Sequence, residues 1–510
     1  MVPGTRTVRP YHYLTYGVAD VFGAGSMAVI AGWILFFYST FCGLTTVQAS
    51  GIFAIARLLD AVWSPLLGHI SDSIGTTRLG RRFGRRRVFL LCAVPLLPSF
   101  ALMWVSGHTY LYYLCTYVFF ELTYASVLVP YSALAPEMTD DYQQLSKFAG
   151  VRLICAQVSA ILAGILPNLI INVLGGKDSA YTFLYMGIAF SALFMVVVWI
   201  TYRFSWERES STAPTVAAPP TTVLGILGNL FHNVISTLRI RAFRLHLGMY
   251  LGGYISQDIF NAVFTYFVVF VLAGNVALAS AQMGAMAFAQ LIAVVCFIPL
   301  ILRLQPAPAF RLASIIYIVG IVGLACLYLL HPAALTLLLY VPVLIAGFGR
   351  GGLNFIPWNI YNYIAEVDEI VTAERRPGVF SGVMVITRKT TMAVAVMAVG
   401  WILGLRGFVP GAASQSALAN ETITIVLVAG PIILLLMGIA ISFRFKLTQQ
   451  THAVLLREIA RFKRGEISPP SKEDRQILQD LTGWPFEQLW GKNPVRASSQ
   501  RAPGVEISNR

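Results

Sequence analysis

The chain has 510 residues, of which 57% are hydrophobic and only 12% charged, about half the charged share of an ordinary soluble domain. Much of its surface must therefore face something other than water. The net charge of +14 at pH 7 would suggest nucleic acid on a soluble protein. Here the basic residues lie between apolar runs and form no nucleic-acid module, so orientation in a bilayer explains them better.

Twelve apolar stretches are each long enough to cross roughly 30 Å of hydrocarbon as a helix. They fall at Tyr13–Tyr38, Val47–Ser71, Val88–Ser106, Tyr110–Ala135, Phe148–Val173 and Tyr181–Thr201, then at Leu245–Leu272, Ala279–Leu304, Phe310–Leu330, Ala334–Ala365, Phe380–Leu405 and Ile423–Phe443. The first follows Arg6 and Arg9 and runs too long for the apolar core of a cleavable signal peptide, so it is expected to stay as a helix. Loop charge alternates. Residues 72–87 carry Arg78, Arg81, Arg82, Arg85, Arg86 and Arg87, and loops on the same side hold Arg203, Arg241, Arg303, Arg311 and Arg375. Opposite loops hold almost no Lys or Arg, Lys177 and Arg406 being the exceptions. The positive-inside rule then places both termini in the cytoplasm of a multi-pass plasma-membrane protein.

Composition divides the chain further. Residues 1–204 and 243–445 are expected to form six-helix bundles, joined by a cytoplasmic linker over 205–242 rich in Ser, Thr, Pro and Ala. Residues 446–510 form a polar tail, in which His452–Gly465 has apolar residues at helical spacing. That segment reads either as a helix lying on the inner leaflet or as a short solvated one.

Ionisable side chains within the apolar runs carry the functional signal. Arg57 and Asp60 lie three residues apart in the second span. Charges there are expensive unless they pair or meet a polar cavity, so by default they mark a transport path; a fixed ion pair between the two is the alternative. Arg152 lies in the fifth span, and Arg388 and Lys389 in the eleventh. The seventh holds Tyr254, Gln257, Asp258 and Asn261, and the tenth Arg350, Asn354, Trp358, Asn359 and Asn362. Amides and charges beside an aromatic plate suit a sugar, and Trp358 is the candidate plate. The six cysteines form no CxxC pair or ligand cluster, so neither a disulfide framework nor a metal site is indicated. No nucleophile–base pair or nucleotide loop is visible, so no cofactor and no catalysis are expected.

Gly68-His-Ile-Ser-Asp72 followed by Arg78-Leu-Gly-Arg-Arg-Phe-Gly-Arg-Arg-Arg87 resembles the loop between helices 2 and 3 of the major facilitator superfamily. Three further stretches occur in one order: Arg57-Leu-Leu-Asp60-Ala-Val-Trp-Ser-Pro65, Val129-Pro130-Tyr131 through Glu137, and Ala365-Glu366-Val-Asp368-Glu369 through Gly382. Together with Arg152 and Lys389 they resemble the glycoside–pentoside–hexuronide:cation symporters, relatives of the melibiose permease. The resemblance implies an all-α integral membrane protein with the major facilitator fold, twelve helices in two bundles rocking about a midplane site. Asp72, Gly68 and Arg78 would then serve the cytoplasmic gate, with Gly68 letting helices approach.

The resemblance also implies a small-molecule sugar or sugar acid and a coupling cation as partners. The family's two cation-binding carboxylates fall on Asp60 and Ser64, and its helix 4 oxygen on Ala125. With oxygens lost, a proton is expected rather than sodium, with Arg57 tuning Asp60, and uncoupled transport or antiport stays open. The family's sugar-binding carboxylates fall on Gly25 and Leu128, while Arg152 and Lys389 keep its cations. The cavity is therefore expected to be more positive, and the substrate to bear an acid group, unless those cations pair with Asp60, Asp258 or Glu121. Arg388, Asp258, Gln257, Asn261, Asn354 and Trp358 complete the expected substrate site. Two other readings stand: a lipid or amphiphile carrier, and a transporter-like sensor or scaffold acting through its tail.

Overall fold

The computed structural model describes residues 8–74, 77–139, 141–173, 179–207, 228, 234–330, 335–373, 377–464, 470–490 and 492. Every regular element among them is helical. The first bundle contains α1 (Pro10–Thr40), α2 (Thr46–Ser73), α3 (Arg87–Leu102), α4 (Tyr110–Ser132), α5 (Tyr142–Val173) and α6 (Ala180–Phe204). The second contains α7 (Arg241–Val271), α8 (Val276–Leu304), α9 (Pro306–Leu330), α10 (Tyr340–Thr372), α11 (Pro377–Leu405) and α12 (Ala417–Ser442).

Eleven of these are long and apolar enough to span a bilayer. The third crossing, expected as one helix, is instead a broken series: helix at Arg87–Ala93, a 3-10 turn at Val94–Leu96, and helix again at Ser99–Leu102. Pro95 and Pro98 explain the break, because each removes a backbone donor and clashes with the preceding turn. Such breaks are tolerated at membrane depth where protein covers the freed backbone. Leu97, Phe100, Met103 and Trp104 are buried there.

The linker's start also departs from expectation. Ser205 and Trp206 are buried, and the Glu207 carboxylate accepts the backbone N–H groups of Arg85, Arg86 and Arg87, each at 2.9 Å. An acid at that helix start satisfies orphan donors and favours the positive end of the dipole.

The two bundles meet at their non-basic, outer ends through three helix pairs. Between α1 and α7, Ser39 and Tyr266 hydroxyls lie 2.6 Å apart and Thr265 donates to the Gly32 carbonyl at 3.1 Å. Between α5 and α8, the Asn168 amide donates to Ser280 Oγ at 2.9 Å, and the Ser280 hydroxyl donates to the Gly164 carbonyl. Between α2 and α11, a Cβ at Gly400 would collide with Ser50 and the Thr46 carbonyl. Only glycine permits this approach, the usual way helices close on one another in membranes. Toward the basic end no such close approach occurs at the glycines of these helices: a Cβ at Gly150 on α5 or at Gly382 on α11 would meet nothing within 4 Å.

The tail departs from both readings of it. Helices α13 (Gln449–Lys463) and α14 (Lys472–Thr482) dock on the inner end of the second bundle. The apolar face of α13, with Val454, Leu455 and Ile459, is buried against protein. Lys463 pairs with Glu369 at 2.7 Å, His452 with Glu366, and the Trp490 amide donates to the Ile370 carbonyl at 2.7 Å.

At Gly164 a valine Cβ would run into the Gly284 backbone and hold the outer ends apart. Gly164→Val is expected to raise outside labelling of a cysteine at Ala28→Cys, in a cysteine-free background, by about tenfold, which is a shift of about 1.4 kcal/mol in the balance of states. Unchanged labelling would show that the α5–α8 contact does not close the outer side.

Candidate functional site

Helix α2 presents Asp60 and Ser64 one turn apart, hence on one face. Ser64 Oγ donates to Asp60 Oδ1 at 2.7 Å. Lys389 reaches across from α11, placing Nζ 2.6 Å from Asp60 Oδ2 and donating to Ser64 Oγ at 2.9 Å. Asp60 is buried, while the Lys389 side chain keeps 18% exposure. Three polar side chains thus form a closed triangle joining the two bundles.

Three further ion pairs lie within single bundles. Arg57 does not pair with Asp60. Its Nη2 stands 3.3 Å from Glu121 Oε1 on α4, and the same guanidinium touches Met27 Sδ. Arg152 on α5 meets Asp20 on α1 at 2.5 Å. Tyr131 donates to the same Asp20 oxygen at 3.0 Å and lays its ring 4.8 Å from the guanidinium. Arg388 grips Asp258 with two hydrogen bonds of 2.5 and 2.7 Å, the bidentate geometry that makes arginine–carboxylate pairs strong.

These pairs correct the expected surplus of positive charge. Gly25, the position the resemblance gave to a sugar carboxylate, is used for packing: a Cβ there would lie 3.0 Å from Ser159 Cβ on α5. The carboxylate that α1 does carry is Asp20, five residues earlier, and Arg152 engages it. Sequence reasoning missed Asp20, although the rule applied to Asp60 fits it equally: a lone acid inside an apolar run. Glu121, one turn before Ala125, supplies the acid on α4.

On α10, Trp358 is 39% exposed, and its Nε1 donates to the Tyr254 hydroxyl at 3.1 Å. That hydroxyl donates in turn to the Asn354 carbonyl at 3.3 Å, and Asn354 Nδ2 donates to Gln290 Oε1 at 3.1 Å. Gln257, Asn261, Gln290, Arg350 and Asn354 line a cavity of about 160 Å³ between the bundles. Trp33, Gly164 and Met283 line it on the outer side. Asn359 points elsewhere, to a hollow of about 120 Å³ beside Gln305 and His452 at the inner end. The Asn362 side chain lies outside the described atoms.

The gate residues are less connected. Gly68 is half-buried, and a Cβ there would meet only Val129, at an ordinary 3.8 Å. In this arrangement it makes no close helix approach. Arg78 is exposed at the start of a short helix, Arg78–Phe83, and the Asp72 side chain lies outside the described atoms. Among the described residues no cluster of three His, Cys, Asp or Glu side chains has metal-binding geometry, and none of the six cysteines is in a disulfide.

Two bundles meeting at one face, with charged groups converging beneath that closure, define a membrane carrier of the major facilitator fold. The chain belongs to the family described as MFS/sugar transport protein, which it matches over residues 15–449, and it is a multi-pass protein of the plasma membrane. It is similar to an uncharacterized symporter of Synechocystis sp., 23% identical over 88% of this chain and 96% of that one. It is also similar to the glucuronide carrier protein homolog of Escherichia coli, 23% identical over 92% of this chain and 97% of that one. Among solved structures it resembles the nucleoside transporter NupG, at 14% identity and a TM-score of 0.58, over 85% of this chain and 100% of the other.

Removing Arg388 strands Asp258 in a buried site, an uncompensated charge worth about 3–5 kcal/mol of destabilisation. Arg388→Met is expected to lower thermal stability accordingly, and Asp258→Asn added to it to restore most of the loss. Additive losses in a double-mutant cycle would show that the pair is not coupled.

Proposed function

We propose that this protein moves a sugar or sugar acid across the membrane by alternating access, in symport with a proton rather than sodium. Asp60 is the coupling group. The observation that carries the reading is the Lys389 ammonium seated on Asp60 and Ser64. In the symporter family that face of helix 2 holds the coupling cation; here the protein supplies a cation of its own. A hard metal ion needs several oxygen ligands, and the two oxygen-bearing groups already serve an ammonium.

A proton acts differently. Neutralising Asp60 removes the attraction for Lys389, and this pair ties α2 of one bundle to α11 of the other. Protonation therefore loosens a cross-bundle tie and changes the relative cost of the inward- and outward-open states. A ligand shifts such an equilibrium only through differential affinity for the two states. Here the proton's differential affinity comes from the presence or absence of Lys389 beside Asp60.

Sugar is favoured by the polar lining. Exposed Trp358 offers a flat apolar face, while Asn261, Asn354 and Gln290 offer amides. The relative named as a glucuronide carrier supports the same class. The rival reading as a lipid carrier needs a lateral opening into the site. An apolar groove of about 710 Å³ does face outward between α7, α11 and α12, but it shares no residue with the cavity between the bundles. The tail contacts are those of a brace on one bundle, with no chemistry performed on the solute. Asp72, Gly68 and Arg78 are proposed to contribute to the cytoplasmic gate when the inner ends close.

In proteoliposomes, sugar accumulation is expected to follow an imposed pH gradient and to be unaffected when sodium is replaced by choline. Asp60→Asn is expected to abolish accumulation against a gradient while leaving counterflow exchange measurable. Sodium-dependent accumulation, or full accumulation by Asp60→Asn, would refute proton coupling through Asp60.

A further inference from the structure

Two apolar grooves on the outside of the second bundle take no part in the carrier site. The larger, of about 710 Å³, lies between α7, α11 and α12, and the smaller, of about 300 Å³, between α9 and α12. The larger one exists because α12 packs along α7 and α9 while α11 leans on α2 of the other bundle, so α11 and α12 touch little. Both grooves share one wall of α12: Glu421, Ile425 and Ala429, spaced four residues apart and hence on one face, line each of them. Ile402 of α11 and Leu418, Ile425 and Ile433 of α12 are exposed along the larger groove.

Polar residues mark the two ends of that groove. Arg406, just past the end of α11, and Glu421, about one turn into α12, lie at the outer, non-basic end. Both side chains are exposed, and neither has an ion-pair or hydrogen-bond partner among the described residues. Thr390 and Thr391 lie at the deep end, directly after Lys389, and the Thr391 hydroxyl is already spent on the Thr387 carbonyl at 2.8 Å. From Glu421 to Leu434 the groove follows roughly 20 Å of helix, enough to cross one leaflet of a hydrocarbon core roughly 30 Å thick.

At that depth there is no water to fill the space, and an empty groove forfeits its dispersion contacts. Acyl chains fill it, yet they gain no hydrophobic energy by leaving bulk lipid, so the chains alone do not define a site. The mouth does. Two grooves meeting at one residue suit the two chains of a single lipid, and an unpaired cation beside an unpaired anion suits a headgroup bearing both signs.

We propose that Arg406, Glu421 and the two grooves hold one outer-leaflet diacyl phospholipid with an ethanolamine headgroup, its chains straddling α12. Arg406 receives the phosphate with its fork, and Glu421 accepts the N–H groups of the primary ammonium. A glycerol headgroup would bring only negative charge to Glu421, and a choline headgroup has no N–H to donate. The lipid is not cargo, because neither groove shares a lining residue with the cavity between the bundles. It acts as a wedge that keeps α11, the bearer of Lys389, in position against α2, whatever the solute.

The test uses the full-length protein in nanodiscs made from equal parts of dioleoyl phosphatidylethanolamine, phosphatidylglycerol and phosphatidylcholine, with native mass spectrometry of the lipid retained after release into mild detergent. The wild-type protein is expected to keep one phospholipid and to favour ethanolamine over either rival by about fivefold, the scale of two exposed ion pairs. Glu421→Gln is expected to bring the ethanolamine-to-glycerol ratio within about twofold, and Arg406→Gln to lower retention of all three lipids by about fivefold. Ala398→Trp, which fills the larger groove from α11, is expected to lower retention with the charged mouth intact. Retention in proportion to the mixture, meaning annular lipid only, overturns the proposal, as does a preference for the glycerol lipid. A wild-type preference left unchanged by both charge variants overturns it too. Should Ala398→Trp fail to fold, the two charge variants decide, since their side chains are exposed and unpaired.

Discussion

The rest of the structure depends on how charge is held inside the hydrocarbon. Each ionisable side chain in the bundles carries a desolvation cost that only a close opposite charge or a hydrated space offsets. Asp60 and Lys389 meet that requirement across the interface between bundles rather than within one. A single ion pair therefore bears on both folding and conformational state, because a change in its charge alters how strongly α2 holds α11. The other three pairs sit inside single bundles, where they fix α1 to α5, α2 to α4 and α7 to α11 without opposing the rocking motion.

The outer contact between the bundles follows from side-chain size along its helices. Gly164 and Gly284 let α5 come against α8, and Gly400 lets α11 come against α2, at one end. Without a hydrophobic drive between helices in lipid, such van der Waals contacts and interhelical hydrogen bonds supply the attraction. At the other end, tail helix α13 braces the second bundle through Glu366 and Glu369, where the chain turns out of the membrane. The apolar stripe of α13, legible in the sequence, is covered by α10 rather than by lipid.

The fold was largely legible because a bilayer imposes few solutions: long apolar runs become helices, and basic loops reveal their side. The exception was the third crossing, where hydropathy alone hides the interruption that Pro95 and Pro98 cause. Of the site, Asp60 and Ser64 share a face by simple helical spacing, and Arg152, Asp258, Arg388 and Lys389 announce themselves as charges in apolar context. Their partners were not legible. Nothing in the spacing of Arg57 and Asp60 reveals that the first turns to Glu121 and the second to Lys389, more than three hundred residues away. Asp20 carries the same signal as Asp60, but its partner Arg152 lies far along the chain, so the pair is not legible from local spacing.

The sequence by itself determined that this chain crosses the membrane many times, which end of it is basic, and which residue types are too costly to lie there by chance. These follow from local composition, which a solvent as simple as a lipid bilayer reads directly. Tertiary structure decided which charges cancel and which one does not. Pairing is a matter of distance between helices far apart in the chain, so only the assembled bundles leave Arg350 facing a cavity with no carboxylate of its own among the described residues.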